Sequence, residues 1–394
     1  MVNQLASLSL YLHIPFCRRR CSYCDFNTYT SLGDLKESYA EALCLEVAQV
    51  GSQTELAANA RPLVHTIYFG GGTPSLMPAQ SLAQIFSAIR AYFAIAPDAE
   101  ISLEANPGTV DAGYLAALRE LGVNRLSFGA QSAIPSELNL LEREHDFTAV
   151  VGAVTMARAA GFEDVNVDLI YGVPGQTIAS WEQSLRATLA LEPTHLSLYC
   201  LTIEQGTPMH RWLHSGRLSA PDPDLAADQY ELACRIMAEQ GYEHYEISNW
   251  ALPGYPCRHN LTYWRNQSYL GLGAGAHGHA GGFRYQVVKQ PRVYIRRMQQ
   301  KRAGPFPITA AAAAFHVVER QEAMSDTVIT QLRLLQEGLG LEAFAQAFGQ
   351  SIDEAYPALV GQLVEWGLLC MENGRLRLTQ KGCFLSNQVF YRFM

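Results

Sequence analysis

Along the first two hundred residues, short runs of apolar and β-branched residues alternate with longer stretches in which apolar residues recur every three to four positions. The first pattern reads as strand and the second as helix. Strands are expected at 8–14 (LSLYLHI), 65–70 (HTIYFG), 100–105 (EISLEA), 125–130 (RLSFGA), 164–170 (DVNVDLI) and 195–201 (HLSLYCL). Helices are expected at 36–50, 79–93, 110–121, 148–160 and 179–191. Alternating β and α elements wind a parallel sheet. Six such units predict an α/β fold, an open or incomplete (β/α)6 TIM-like barrel, whose chemistry belongs at the C-terminal ends of the strands.

Polar residues and glycines collect at those ends, strand after strand. A cysteine loop follows the first strand and Gly70-Gly71-Gly72-Thr73-Pro74 the second. Glu104 with Asn106-Pro107 ends the third, Gln131-Ser132 the fourth, Asp168 the fifth and Tyr199 the sixth. One such coincidence would mean little, but six on one face locate a site. Each residue also has a plain structural reading. A glycine triplet serves as a sharp turn that tolerates positive φ, and without a following G-K-[ST] it is no phosphate loop. Buried Glu104, Gln131 and Asp168 need partners, whether a ligand or a structural network. Arg143 reads equally as an exposed helix charge.

The cysteine loop carries the most chemistry. His13-Ile14-Pro15-Phe16-Cys17-Arg18-Arg19-Arg20-Cys21-Ser22-Tyr23-Cys24 has C-x₃-C-x₂-C spacing. An iron–sulfur cubane normally takes four cysteines, one per iron, so three leave one iron open. The competing reading is structural zinc, with Cys21 and Cys24 as a C-x₂-C half and Cys17 or His13 helping. Zinc knuckles close with a second pair, and the remaining cysteines (44, 200, 234, 257, 370 and 383) stand alone.

With the aromatic Tyr23 before its third cysteine, this spacing resembles the radical S-adenosylmethionine (SAM) superfamily. The motifs YLHIPFC, CSYC, GGGTP, EANP, SFGAQS, R-x-H, NVDLIYGVPGQT and EISNWA narrow the resemblance. They are similar to the branch that holds oxygen-independent coproporphyrinogen III oxidases and HemW-type heme chaperones, from about Tyr11 to His279. The resemblance implies a [4Fe-4S] cluster on Cys17, Cys21 and Cys24, with SAM chelated by the open iron. It places Tyr11 by the sulfonium and Gly71, Gly72 and Thr73 at the SAM amino group. Ribose and methionyl contacts fall on Glu104, Gln131, Arg143 and Asp168, and Tyr23 joins the cofactor-binding set.

The oxidases have a fourth cysteine two residues after the third; here Phe26 takes that place. HemW-type sequences lack it too, and Arg258-His259-Asn260-Leu261-Thr262-Tyr263-Trp264 matches their H-N-x-x-Y-W motif. This implies heme binding by His259, Asn260, Tyr263 and Trp264. Imidazole is a standard axial ligand for heme iron, and Tyr and Trp offer flat apolar area. The bland alternatives are a satisfied loop histidine and ordinary core aromatics. His277 and His279, in a glycine-rich stretch read as flexible, are secondary ligand candidates or loop residues, and Cys257 has no assigned role.

After Pro305-Phe306-Pro307 the pattern turns helical, with helices expected at Leu332–Gly338, Leu341–Phe348 and 355–367. A small β-wing follows at Gly374–Gly382 with a closing helix. The expected organisation is a radical SAM barrel with the heme-motif extension at 1–300, and a small, mainly helical, winged-helix-like domain at 301–394. Six Lys/Arg against nine Asp/Glu in 310–394 give that region a net charge of −3, unsuited to DNA phosphates.

Composition agrees with these assignments. The chain has 394 residues, a formal charge of −8 and 48% apolar residues, which argues against nucleic acid as a partner. Nine cysteines, three of them clustered, fit a reducing compartment. Neither a signal peptide nor an apolar run near the ~20 residues of a membrane span is evident, so a cytoplasmic protein is expected. Two functions stay open. One is a heme chaperone, with no catalytic residue assigned, that delivers heme to apo-hemoproteins of respiratory type, in transient contact with membrane-bound partners. The other is oxidative decarboxylation of coproporphyrinogen III by a 5′-deoxyadenosyl radical.

Overall fold

The structure is a computed structural model that describes residues 8–58, 61–300 and 303–394. It divides into two compact units. The first runs up to Ala233 and resumes at Ser268–His316; the second combines Cys234–Gln267 with Val317–Met394. This differs from the single cut expected between residues 300 and 301. The segment holding Arg258–Trp264 is interrupted in sequence from the C-terminal region but packs with it. Tyr245, Ala251, Leu261 and Leu334 form one buried cluster.

In the first unit six strands lie side by side in sequence order. They are β1 (Leu8–Ile14), β2 (Leu63–Gly71), β3 (Ala94–Ala105), β4 (Arg125–Gln131), β5 (Asp164–Tyr171) and β6 (His195–Cys200). Every neighbouring pair is parallel. Their side chains are buried on both faces, as a helix-covered parallel sheet requires. The intervening helices match expectation closely: Lys36–Ala58, Ala79–Tyr92, Ala112–Leu121, Phe147–Ala159 and Ile178–Leu189. Asp111 caps the third by accepting from the Tyr114 N–H at 2.8 Å, and Gly122 ends it at φ +101°. On its other side β1 pairs in parallel with Tyr269–Leu272 rather than with β6, so the barrel stays open.

That second neighbour leads into His277–Ala280 and Phe283–Val287, which pair antiparallel. His277 and His279 therefore sit on a regular strand, not in a flexible stretch. Glycine permits this because of crowding: a Cβ on Gly278 would meet the Tyr285 ring at 2.1 Å. Ala312–Val317 is also a strand, where only helices were expected.

The second unit has its own apolar core, including Val328, Leu332, Phe344, Leu363, Leu376 and Val389. Two tail expectations need correction. The helix placed at 332–338 lies just before it, at Arg320–Gln331. Leu332 and Leu334 are both buried, and Leu334 bridges Glu246 as an isolated β-contact; spacing of two is strand-like and opposes helix. The helix expected at 355–367 is two, Ile352–Ala355 and Leu359–Glu365, broken by Pro357 and by Ala358 at φ +62°. Leu341–Phe348 and the wing, Leu369–Glu372 against Arg375–Leu378, form as read. Among the described residues no helix is long and apolar enough to cross a membrane.

Candidate functional site

The cysteine loop is fixed by backbone bonds before any cofactor is considered. The Cys17 N–H donates to Tyr29 O at 3.0 Å and the Tyr29 N–H to Pro15 O at 2.7 Å. The glycine loop after β2 zips onto its base: the Gly72 N–H donates to Ile14 O and the Thr73 N–H to Phe16 O, both at 2.8 Å. Only glycine fits at 72, where a Cβ would lie 2.7 Å from Phe16 O and 3.0 Å from the Cys17 sulfur. At the far end the Ser22 hydroxyl donates to Leu140 O at 2.7 Å, and Ser22 O accepts from the Met209 N–H at 2.9 Å.

The donors near the sulfurs include a hydroxyl and a guanidinium. The Thr73 hydroxyl lies 3.6 Å from Cys17 Sγ, and Arg143 Nη1 lies 3.3 Å from Cys21 Sγ. Arg143 is held by its bond to Gly129 O at 2.7 Å, and its buried Nε has no protein partner. It therefore lies against the cysteine loop and is not an exposed helix charge. Burial raises the Cys17 thiol, and burial pushes Cys24 up to about 11; metal binding would deprotonate both. Among the described residues no three His, Cys, Asp or Glu side chains are placed to hold a single metal ion. A cubane instead takes each thiolate on a different iron. The half-exposed three-thiol loop, with cationic and hydroxyl donors aimed at sulfur, fits that group. Phe26, 64% exposed, contributes no ligand.

Beside the loop, the ends of β1 to β5 build a polar wall. The Tyr11 hydroxyl donates to His13 Nδ1 at 2.9 Å, and His13 Nε2–H donates to Asn27 O at 3.1 Å. The carbonyl can only accept, which sets this tautomer. Burial lowers the His13 pKa and keeps the ring neutral. Glu104 accepts from the Tyr68 hydroxyl at 2.9 Å and the Gly71 N–H at 3.0 Å. Burial, and then the neighbouring Asp168, raises Glu104 to about 7. Asp168 accepts from Asn166 Nδ2 at 2.7 Å and Ser127 Oγ at 3.2 Å, and burial raises its pKa. Gln131 adopts φ +70°, a left-handed conformation that costs a non-glycine residue about 1–3 kcal/mol. Its turn is fixed by the buried Glu137 carboxylate, which accepts from Ser132 Oγ at 2.6 Å, Ser180 Oγ at 2.7 Å and Gln176 Nε2 at 3.0 Å.

Tyr11, Gly71, Gly72, Thr73, Glu104, Gln131, Arg143, Asp168 and the three cysteines therefore lie at the strand ends and loops of one unit. Tyr23 packs against an apolar cluster of Leu141, Ile170, Val173, Leu201 and Met209. His13, Tyr68, Asn27, Glu137 and His145 were not singled out for this wall. Burial and then Arg143 push His145 down to about 4, and its ring nitrogens lie 3.1 Å from Asn106 Oδ1 and 3.2 Å from Ala130 O. His13, by its period-2 spacing from Tyr11, and His145, as the histidine of the R-x-H motif, carried a signal in the sequence; Tyr68, Asn27 and Glu137 depend on the fold.

The second candidate set lies on one short helix of the other unit, Arg258–Trp264. His259 is fully buried, and its Nε2 lies 2.8 Å from the Tyr263 hydroxyl, one helical turn on. Iron ligation through that nitrogen requires this bond to open. Asn260, Tyr263 and Trp264 are partly buried.

The radical SAM superfamily profile matches residues 11–188, and that of the HemN C-terminal domain matches 318–385. The chain is 38% identical to "Heme chaperone HemW" of Mycobacterium tuberculosis, over 96% of this chain and 93% of the relative. It is 36% identical to the protein of that name in Bacillus subtilis, over 98% and 99% respectively. Among solved structures it resembles the Escherichia coli coproporphyrinogen III oxidase HemN, a radical SAM enzyme. That match has a TM-score of 0.83 and 25% identity, and covers 98% of this chain and 89% of the other. Motif, barrel and full-length similarity agree: the chain belongs to the radical SAM superfamily, in its HemN-like branch and, within that, to the HemW group.

Proposed function

We propose that this protein is a heme carrier that holds a [4Fe-4S] cluster on Cys17, Cys21 and Cys24, binds SAM beside it, and hands heme to apo-hemoproteins of the respiratory chain. The observation that carries the reading is the pairing of an intact H-N-x-x-Y-W helix with an exposed Phe26 at the oxidase's fourth cysteine position. Full-length likeness to HemW proteins supports it. The cluster, when bound, supplies a low-potential electron. The protein's own contribution is to orient SAM: Gly71 and Gly72 admit close backbone approach, Glu104 and Asp168 offer acceptors, and Tyr11 closes the wall.

The deciding experiment gives cluster-loaded protein SAM, reductant and coproporphyrinogen III anaerobically, then heme and an apo-cytochrome. Heme transfer without decarboxylated product is expected. Protoporphyrinogen formed over many turnovers would establish the oxidase reading, which the likeness to HemN favours.

Two residue tests belong with this proposal. His259→Ala is expected to weaken heme binding by at least the roughly tenfold that losing even an outer-shell partner costs a metal site. Cluster content should not change, and unaltered heme affinity would remove His259 from the site. Glu104 supplies a pH test. It is half-protonated near pH 7 in the free protein, and a cationic ligand beside it favours the ionised form, so binding below that pH releases a proton. Affinity for SAM, which carries sulfonium and ammonium charges, should therefore strengthen from pH 6 to 7, by up to about tenfold per unit, and level off above. Calorimetry on the cluster-loaded protein should show that slope, and Glu104→Gln should flatten it. A flat profile in the unaltered protein would take Glu104 out of the SAM site.

A further inference from the structure

Among the buried hydrogen-bond donors of the second unit that lack an acceptor, two adjoin one another. Trp264 Nε1 and Arg333 Nε are both buried without a partner. The Arg333 guanidinium lies over the Trp264 ring, 4.2 Å from its centroid. Buried donors are rarely left unpaired, since an unmet donor forfeits its bonds to water. Two such donors on one guanidinium–indole stack mark a place where an acceptor is missing.

The surroundings indicate which acceptor. Trp264 packs against an apolar cluster of Tyr245, Ala251, Leu261 and Leu334, joined by Tyr255. Arg333 is held from behind, its Nη2 lying 3.4 Å from the fully buried Glu246 carboxylate. Glu246 also accepts from the Ser248 N–H at 3.0 Å and from Asn249 Nδ2. That bond fixes the guanidinium through one terminal nitrogen and leaves its Nε edge unused. Aromatic and apolar residues beside an arginine and an indole N–H suit a flat apolar ligand bearing a carboxylate. Arginine binds such groups with strong, charge-assisted bonds.

We propose that Arg333 and Trp264 form a carboxylate subsite that takes a propionate of the tetrapyrrole, next to the His259–Tyr263 pair on the same helix. This rests on the heme-carrier reading and adds to it an anchor outside the H-N-x-x-Y-W motif. It makes Trp264 a hydrogen-bond donor as well as a packing surface.

The test is a spectroscopic titration of the full-length protein with iron protoporphyrin IX and, separately, with its dimethyl ester, which keeps the macrocycle and the iron but carries no free carboxylate. The unaltered protein should bind the free acid about tenfold or more tightly than the ester, the worth of one hydrogen bond to a charged group. Arg333→Gln should remove most of that factor from the free acid, leave the ester unchanged and so remove most of the preference. Trp264→Phe keeps a ring for packing, loses only the N–H donor, and should lower the preference part of the way; it also serves should Arg333→Gln fail to fold beside buried Glu246. Equal binding of acid and ester by the unaltered protein, or equal weakening of both in the variants, would overturn the subsite and leave heme carriage standing. Failure of the unaltered protein to bind either porphyrin would overturn both.

Discussion

Cys21→Ala is expected to fold normally and, after anaerobic reconstitution, to hold almost none of the roughly four irons and four sulfides of a cubane. Three thiolates are the minimum set here, and no other cysteine stands within the loop to replace one. The fold should survive because the loop is anchored through its backbone and through Ser22, not through sulfur. The bonds from Cys17, Gly72, Thr73 and Met209 N–H groups all persist when a thiol is removed. Far-UV dichroism and the thermal midpoint should therefore stay close to those of the unaltered protein while the brown absorbance disappears. Cys17→Ala and Cys24→Ala should do the same, whereas Phe26→Ala should keep its cluster. Intact cluster absorbance in Cys21→Ala would overturn the ligand assignment.

Gly71→Ala should be the most damaging single methyl group in the site. Gly71 sits at φ +118°, where L side chains are strained, and the added Cβ would lie 2.6 Å from the His13 ring. His13 cannot step aside cheaply, because both ring nitrogens are bonded, to Tyr11 and to Asn27 O. Backbone strain of about 1–3 kcal/mol and crowding of about 1–3 kcal/mol together predict a loss of about 2–6 kcal/mol in a denaturant titration. Movement of Gly71 would also pull its N–H from Glu104, so SAM binding should fall with stability. Gly108→Ala is the control: nothing lies within 4 Å of its added Cβ, and a change within about 0.5 kcal/mol is expected. Equal stability of the two variants would show that the glycine loop tolerates a side chain.

The six parallel strands and the helices between them were legible because their signals are local. Short apolar runs, capping residues and glycine turns act over a few positions, and β1, Leu8–Ile14, was read to the residue. The tail was read less well for the same reason. Leu332–Gly338 is rich in helix-forming residues, yet tertiary contacts claim Leu334 for a bridge to Glu246, 88 positions away in the chain, and override propensity. Arg143 shows the same limit. Its motif was visible, but whether it faced solvent or sulfur depended on where β4 and the loop at Cys21 meet.

Sequence alone determined the three-thiol loop, the order of the strand-end residues and the H-N-x-x-Y-W motif, since each is written in the spacing of a few adjacent positions. Tertiary structure decided which residues complete them. It placed Glu137 under the strained Gln131 turn, His13 between Tyr11 and Asn27, the motif helix with the C-terminal region, and Arg333 over Trp264. Asn27 meets His13 across 14 positions of the chain, and Arg333 meets Trp264 across 69. They are settled by how buried polar groups across the whole chain find partners, and no local spacing encodes that.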